Sequence, residues 1–284
     1  MFHIFTDLGA NIPQELVERH RLGVVPIQCI VNGEPLDVSA GFDGPAFYDA
    51  MRAGAETATA MPSLGCFFDM FEEVLEKGED LIYIGISSGI SGTVGAGQSV
   101  AEELKAKYPD RKIAVVDTRA ASLGEGLIVL HAARLREEGA DFDRVVSEAQ
   151  DKCDHMYQVF TVEDLDYLRR GGRLSTAVAK VGNMLHVKPI LWGNAAGQIV
   201  LKNMVVGRKR ALDALAAKYK EHCADMSQPV GLAHCDSPAD TALVIEKLRK
   251  AGCTGEILDV CYEPVTGSHV GPGTVALFFY GPHR

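Results

Sequence analysis

The sequence predicts an α/β protein of two domains: an N-terminal α/β domain built on a parallel, Rossmann-like sheet, and a second, C-terminal α/β domain. Three observations carry that expectation. Short apolar runs at residues 2–5, 81–86 and 113–116 alternate with longer segments whose apolar residues recur at helical spacing. Each run stops abruptly at a polar or glycine-rich turn: Thr6-Asp7, the stretch from Ser87 to Thr93, and Asp117-Thr118. The chain has 284 residues, 47% apolar and 23% charged, enough for a full core and for two domains. Strands that alternate with helices in this way form a parallel sheet covered on both faces. Ligands of such sheets sit at the carboxyl edge, where the strand order reverses. That rule points to the Thr6, Thr59, Ser88 and Asp117 loops.

Taken in order, residues 2–5 read as the first strand, and Pro13 sits where its fixed φ suits the start of a helix over 14–21. Residues 24–31 read as one strand, with the turn signal Asn32-Gly33 behind it. Asp43-Gly44-Pro45 caps a helix that runs to Met51. A polar loop over 56–63 leads to a helix at 64–77, where Phe67, Phe68, Phe71, Val74 and Leu75 form an apolar stripe. That stripe suits core packing, and it equally suits the lining of an apolar ligand cavity. After the strand at 81–86 come a helix at 94–108, a strand at 113–116 and helices at 120–138 and 142–153. The texture changes near Tyr157, which sets the domains at 1–155 and 156–284. Beyond it, strands are expected at 158–162, 188–192, 198–206, 229–234, 255–262 and 274–280. Helices are expected at 163–172, 208–223 and 238–251, and residues 174–185 form an apolar stretch of small residues.

Composition excludes several function classes. A net charge of -10 leaves no basic field to release counterions from nucleic acid, so no nucleic-acid partner is expected. No leader of basic residues plus apolar core opens the sequence, and no run of 18 apolar residues interrupts it, so a cytoplasmic protein without an integral membrane segment is expected. The seven cysteines are scattered without a C-x-x-C pair, which suits buried thiols in a reducing compartment. There is no G-x-x-x-x-G-K-[ST] loop and no paired acidic metal site, so neither metal nor cofactor is expected and any phosphoryl chemistry belongs to a partner.

The candidate site begins in the loop after the strand at 81–86. Residues 81–93 read LIYIGISSGISGT: strand, hydroxyl-and-glycine loop, helix start. The free amides and positive dipole end of a helix attract an anion there, glycines admit close approach, and serine hydroxyls donate without adding charge. The loop either holds a carboxylate or phosphate head group or only caps the helix. Gly85-Ile86-Ser87-Ser88-Gly89 also fits G-x-S-x-G, the nucleophile elbow of an α/β-hydrolase, with Asp117 and His269 following in triad order. A serine esterase or lipase-like hydrolase is therefore the enzyme alternative. Against it stand the extra glycines Gly89 and Gly92, which prolong the loop, and the lack of an upstream HGGG-type segment. Asp7 and Asp117 each end a strand and serve either as orienters or as turn residues. Among nine histidines His269 stands out by its glycine-proline loop, and Arg173, after two glycines, is better placed to face a ligand than Arg169 or Arg170.

Several of these stretches together resemble the DegV family of bacterial fatty-acid-binding proteins. TDLGANIP, from Thr6, is similar to the family's Thr-Asp-Ser opening, with Leu8 in the serine place; TATAMPS resembles its Thr-Ser-x-Pro-Ser loop through Thr59, Pro62 and Ser63, with Ala60 in the serine place. SSGISGT, DLDYLRRGGRLS from Asp164 to Ser175, and SHVGPGT from Ser268 to Thr274 match without a gap. The resemblance implies a non-enzymatic carrier that holds a long-chain fatty acid, such as palmitate, stearate or oleate, between its two domains. It assigns the carboxylate to Thr59, Ser63, Ser88, Ser91 and Gly92, with Arg173 and His269 close to the head group. It also implies a separate fatty acid kinase as partner, to which the acid is presented for phosphorylation. Val206 departs from the family, where an arginine is common at that place, while Arg208 is kept.

Overall fold

A computed structural model describes residues 1–38, 41–174 and 186–283 of the chain. It divides into two compact units, Met1–Gln28 with Ala60–Asp154, and Cys29–Thr59 with His155–Arg284. The architecture is α/β, with a parallel sheet in the first unit and a mixed sheet in the second.

In the first unit, β1 (Phe2–Asp7), α1 (Gln14–Arg19) and β2 (Leu22–Val25) come first, and the chain returns at Ala60. Then follow α3 (Leu64–Glu76), β6 (Asp80–Gly85), α4 (Thr93–Lys107), β7 (Ile113–Asp117), α5 (Leu123–Glu137) and α6 (Phe142–His155). The strands run parallel in the order β2-β1-β6-β7, so the order reverses between β1 and β6. Leu81 and Tyr83 of β6 point with Phe5 into a core made by Phe67 and Phe71 of α3 and by Val94, Val100 and Leu104 of α4. Ring pairs knit it: Phe67 to Tyr83 at 5.5 Å and Phe5 to Phe71 at 5.1 Å. Of the aromatic stripe, Phe67 and Phe71 are thus packing residues of this core. Ile82 and Ile84, one step out of phase, line the other face, where α5 packs on β1 and β6.

Two expected boundaries move. β1 runs on through Thr6 and Asp7, which pair with Val24 and Val25. Both polar side chains are buried but satisfied, Thr6 Oγ1 donating to Glu125 Oε1 at 2.8 Å. The single strand expected over 24–31 is two, broken at Pro26, whose missing N–H cannot continue a ladder; the halves join different sheets.

The second unit opens with a small sheet of order β4-β3-β5, formed by β3 (Gln28–Val31), β4 (Glu34–Pro35) and β5 (Thr57–Ala60). Asn32 and Gly33, at φ 52 and 87, make the β3–β4 turn. Part of the expected polar loop over 56–63 is therefore strand. Between β4 and β5 lies α2 (Gly44–Arg52), capped by Asp43, which accepts from the Ala46 amide at 3.1 Å. Its fully buried Tyr48 donates to the Tyr262 carbonyl at 2.8 Å.

The unit continues with β8 (Met156–Thr161), α7 (Asp166–Arg170), β9 (Val187–Gly193), β10 (Ile199–Val206) and α8 (Arg208–His222). It ends with β11 (Val230–His234), α9 (Pro238–Lys250), β12 (Ile257–Cys261), α10 (Pro264–Val270) and β13 (Val275–Tyr280). The sheet order is β10-β9-β8-β13-β11-β12, antiparallel except for the β11–β12 pair. Leu212, Leu215 and Tyr219 of α8 and Val244 and Leu248 of α9 close its core against Val159, Leu232, Leu277 and Phe279.

Helix α7 is shorter than expected, because Asp164 accepts from the Asp166 amide at 2.8 Å and so starts the turn late. Helix α10 is an addition to the expected elements. Of the apolar stretch over 174–185, residues 175–185 lie outside the described residues, as does Ser175 of the DLDYLRRGGRLS motif. Among the described residues no helix is long and apolar enough to cross a membrane.

Candidate ligand-binding site

The loop between β6 and α4 leaves the sheet at the point where strand order reverses, and a buried carboxylate anchors it. Asp7, at the end of β1, accepts from the Ile86 amide at 3.0 Å, the Tyr83 hydroxyl at 2.8 Å and the Gly9 amide at 3.0 Å. Burial pushes its carboxyl up to about 6 against the pull of those three donors. Past Ile86 the chain folds on itself: the amides of Ile90 and Ser91 both donate to the Ser87 carbonyl, at 3.2 and 3.1 Å. Asp117, at the end of β7, clamps the loop from the side, accepting from Ser88 Oγ at 2.5 Å and from the Ser88 amide at 3.2 Å. Asp117 is therefore an orienting residue as well as a turn residue, since it also takes the Arg119 amide at 3.0 Å.

Ser91 accepts from the Thr93 amide at 3.2 Å and shares a hydrogen bond with Thr93 Oγ1 at 2.8 Å, so it caps the first turn of α4. Gly92 begins the helix with no side-chain cap of its own. The amides of Gly92, Val94 and Gly95 have no partner among the described residues, and three unpaired donors at a dipole end are what an anion needs. Ser63, upstream, is the N-cap of α3, accepting from the Cys66 amide at 3.2 Å.

The second unit brings three of the expected residues together. Thr59 on β5 and His269 on α10 share a hydrogen bond, Oγ1 to Nε2, at 2.8 Å. Helix α10 exists because Glu263 caps it twice, accepting from the Val265 and Thr266 amides at 2.5 and 2.7 Å, with Pro264 in its first turn. Glu-Pro-x-Thr was the signal in the sequence, and it fixes where His269 stands. Burial, with the Arg173 guanidinium second, depresses the His269 imidazole to about 4, so the ring is neutral at pH 7. Arg173 is itself half-buried, and burial lowers it below the usual arginine value; its Nη1 donates to the Gly171 carbonyl at 2.5 Å. Beside this cluster lies a hollow of about 220 Å³ lined in part by Thr57, Tyr167, Arg170, Gly171 and His269. It is smaller than the ~300–1,000 Å³ of whole-ligand sites, and the Glu56 carboxylate also lines it.

Gly171 makes the approach of α7 to the imidazole possible. A Cβ at this position would stand 2.4 Å from His269 Nδ1, although the backbone conformation itself suits any residue. Gly171→Ala is therefore expected to displace the ring and break the Thr59 bond at a cost of about 2 kcal/mol. NMR titration of the His269 ring should read this as a pKa moving up toward 6.5. An unmoved titration would remove the close packing as the cause of the depression.

Ser88, Ser91 and Gly92 thus share the first unit's loop with Asp117, while Thr59, Arg173 and His269 share the second unit's cluster. Thr59 lies on β5 rather than on a loop of the parallel sheet. The esterase alternative loses its geometry. Ser87 is fully buried with its hydroxyl taken by the Gly89 amide at 3.0 Å, and the Asp117 carboxylate orients Ser88 and backbone rather than a histidine. Val206 stands exposed at the end of β10, and Arg208 is bound into pairs with Asp240 at 2.7 Å and Glu163 at 3.3 Å. Asp7 and Tyr83, which hold the loop from below, are the residues that sequence reasoning underrated; the sign was an acid closing a strand directly beside the hydroxyl-rich strand end.

With the geometry described, comparison with known proteins decides the family. The family model described as "Uncharacterised protein, DegV family" matches residues 1–281. The chain belongs to the DegV family. A DegV domain-containing protein of Clostridium perfringens is 35% identical over 283 residues, covering 99% of this chain and 97% of its own length. Among solved structures, a DegV family protein from Thermus thermophilus, described for its fatty acid binding, superposes with a TM-score of 0.89 at 28% identity, with 99% of each chain covered. A fatty acid binding DegV family protein from Streptococcus agalactiae superposes with a TM-score of 0.88 at 29% identity, covering 100% of this chain and 99% of its own.

Proposed function

We propose that this DegV protein binds a long-chain fatty acid and presents it to a separate fatty acid kinase. The observation that carries the reading is the partly buried, neutral His269 bonded to Thr59 with the half-buried Arg173 beside it, in a chain whose relatives at 28–29% identity are fatty acid binders. Arg173 supplies the charge that a carboxylate seeks. Thr59 and the neutral imidazole spend one proton in their mutual bond and supply one further donor that adds no competing charge. The resemblance assigns the same carboxylate to this loop, where the unpaired amides of Gly92, Val94 and Gly95 and the Ser91 hydroxyl are the donors; Ser88, whose hydroxyl and amide both donate to Asp117, holds the loop in place, and Ser63 holds the start of α3.

The energetics divide the work between tail and head. Each buried methylene contributes about 0.8 kcal/mol. A long acyl chain thus offers on the order of 10 kcal/mol, enough to offset the ~4–15 kcal/mol cost of association. Head-group bonds at roughly 1 kcal/mol each, more where charge-assisted, select the anion and orient it.

Palmitate titration of the purified protein tests this. Arg173→Ala is expected to weaken binding about 10-fold or more, the value of a charge-assisted bond, and Thr59→Val or Ser91→Ala about 5-fold. With a fatty acid kinase and ATP, acyl phosphate is expected to form only when this protein is present. Palmitate affinity equal to wild type in Arg173→Ala and Thr59→Val would sink the head-group assignment, and kinase turnover without the protein would sink the carrier role.

A further inference from the structure

The first unit has a hollow of its own, at the amino edge of its parallel sheet, opposite the edge that bears the Ser88 loop. Strands β1 and β6 begin there, and helices α1 and α5 end there. Its volume is about 480 Å³, and it is lined among others by His3, Arg19, Arg21, Arg136 and Glu79. That is within the range of small-molecule sites, ~300–1,000 Å³, and larger than one inorganic phosphate requires. We propose that this hollow binds a small molecule carrying a phosphate or diphosphate group, held by the guanidinium groups of Arg21 and Arg136 with Arg19 at the rim.

Cationic residues at helix ends have an ordinary use, and it accounts for only part of the cluster. Arg19 and Arg136 lie in the last turns of α1 and α5, where they complement the helix dipoles, and Arg136 donates one N–H to the His20 carbonyl. A guanidinium has five N–H donors, so four remain on Arg136. Arg21 stands past the end of α1, at φ 48, and neither it nor Arg19 has a side-chain partner among the described residues. Two carboxylates, Glu79 and Glu137, the latter also bonded to His20 Nδ1 at 2.8 Å, face three guanidiniums and leave an excess of one positive charge. Burial depresses Arg136, and Arg21 stands close enough to add to that by repulsion, while Glu137, the stronger charge effect, and Glu79 pull the other way. This local excess of positive charge occurs in a chain of net charge -10. Planar guanidinium forks that converge on one space match the oxygens of a phosphate, and a shared anion relieves their repulsion.

Sodium pyrophosphate is the probe, titrated calorimetrically into the full-length protein against sodium chloride at matched ionic strength. One saturable site is expected, weakened about tenfold or more by Arg21→Gln and by Arg136→Gln and unchanged by Lys105→Gln on α4. Arg21 is exposed, so its variant should fold and keep wild-type palmitate affinity, which separates this site from the head-group reading. A second readout is the His3 ring, now held below its usual value by burial and then by Arg136, with Lys77 also lowering it and Glu79 and Glu73 raising it. Bound pyrophosphate should move its NMR titration upward. Heat equal to that of chloride, binding undiminished in both arginine variants, or a His3 titration indifferent to pyrophosphate would each overturn the proposal.

Discussion

Asp7→Ala is expected to unfold the first unit at markedly lower urea concentration, with a loss of about 4 kcal/mol. The side chain is 1% exposed and accepts three hydrogen bonds, from Ile86, Tyr83 and Gly9. Truncation leaves all three donors buried without an acceptor, and each orphaned donor costs about 1–3 kcal/mol. Set against a typical stability of ~5–15 kcal/mol, that is a large fraction. Asp7→Asn keeps the shape and one acceptor oxygen and should lose roughly half as much. Because the Ile86 amide is the last fixed point before Ser87, the alanine variant should also weaken palmitate binding. A urea midpoint within experimental error of wild type would show that the three bonds do not form one structural hub.

The dependence of stability on pH between 4 and 7 should shift in opposite directions in two variants. Asp7 titrates near 6 in the folded chain and near 3.8 unfolded, so across that window the folded state binds the extra proton and stability falls as pH rises. His269 titrates near 4 folded and near 6.5 unfolded, so there the unfolded state binds the extra proton and stability rises with pH. Each contribution amounts to about 3 kcal/mol over the window, at ~1.4 kcal/mol per pH unit of displacement. Asp7→Asn should therefore gain stability from pH 4 to 7 more steeply than the wild type, and His269→Phe less steeply. Urea unfolding at four pH values reads both slopes, and parallel curves for the two variants would overturn one or both assignments.

Much of the scaffold was legible because its determinants are local. The run from Leu81 is apolar on both faces, as a strand covered on both sides must be, and Asp43 and Ser63 stand where their caps require. The hydroxyl loop was legible for the same reason, since glycine and serine at a strand end announce a close approach of backbone to something. What escaped depends on partners far away in sequence. Val24 and Ile30 read as one strand because Pro26 was the only local objection, and the sheets they join are built from segments the run itself does not contain. The 57–60 strand was hidden in threonines and alanines that have no apolar period, and its pairing with β3 makes it. Asp7 stayed open between orienter and turn residue because the donors that make it a hub come from Tyr83 and Ile86, almost eighty residues downstream.

The strand synthesised last, β13, lies between β8 and β11 in the middle of its sheet, and the Cys29–Thr59 segment belongs to the same unit. On the ribosome, therefore, that segment emerges well ahead of most of its partners, and β8 and β11 each wait with an open edge until β13 emerges. The Met1–Gln28 and Ala60–Asp154 portion has all its strands in hand much sooner. Folding during translation is thus staggered, and the nascent second unit is the one whose strand edges stay unpaired longer.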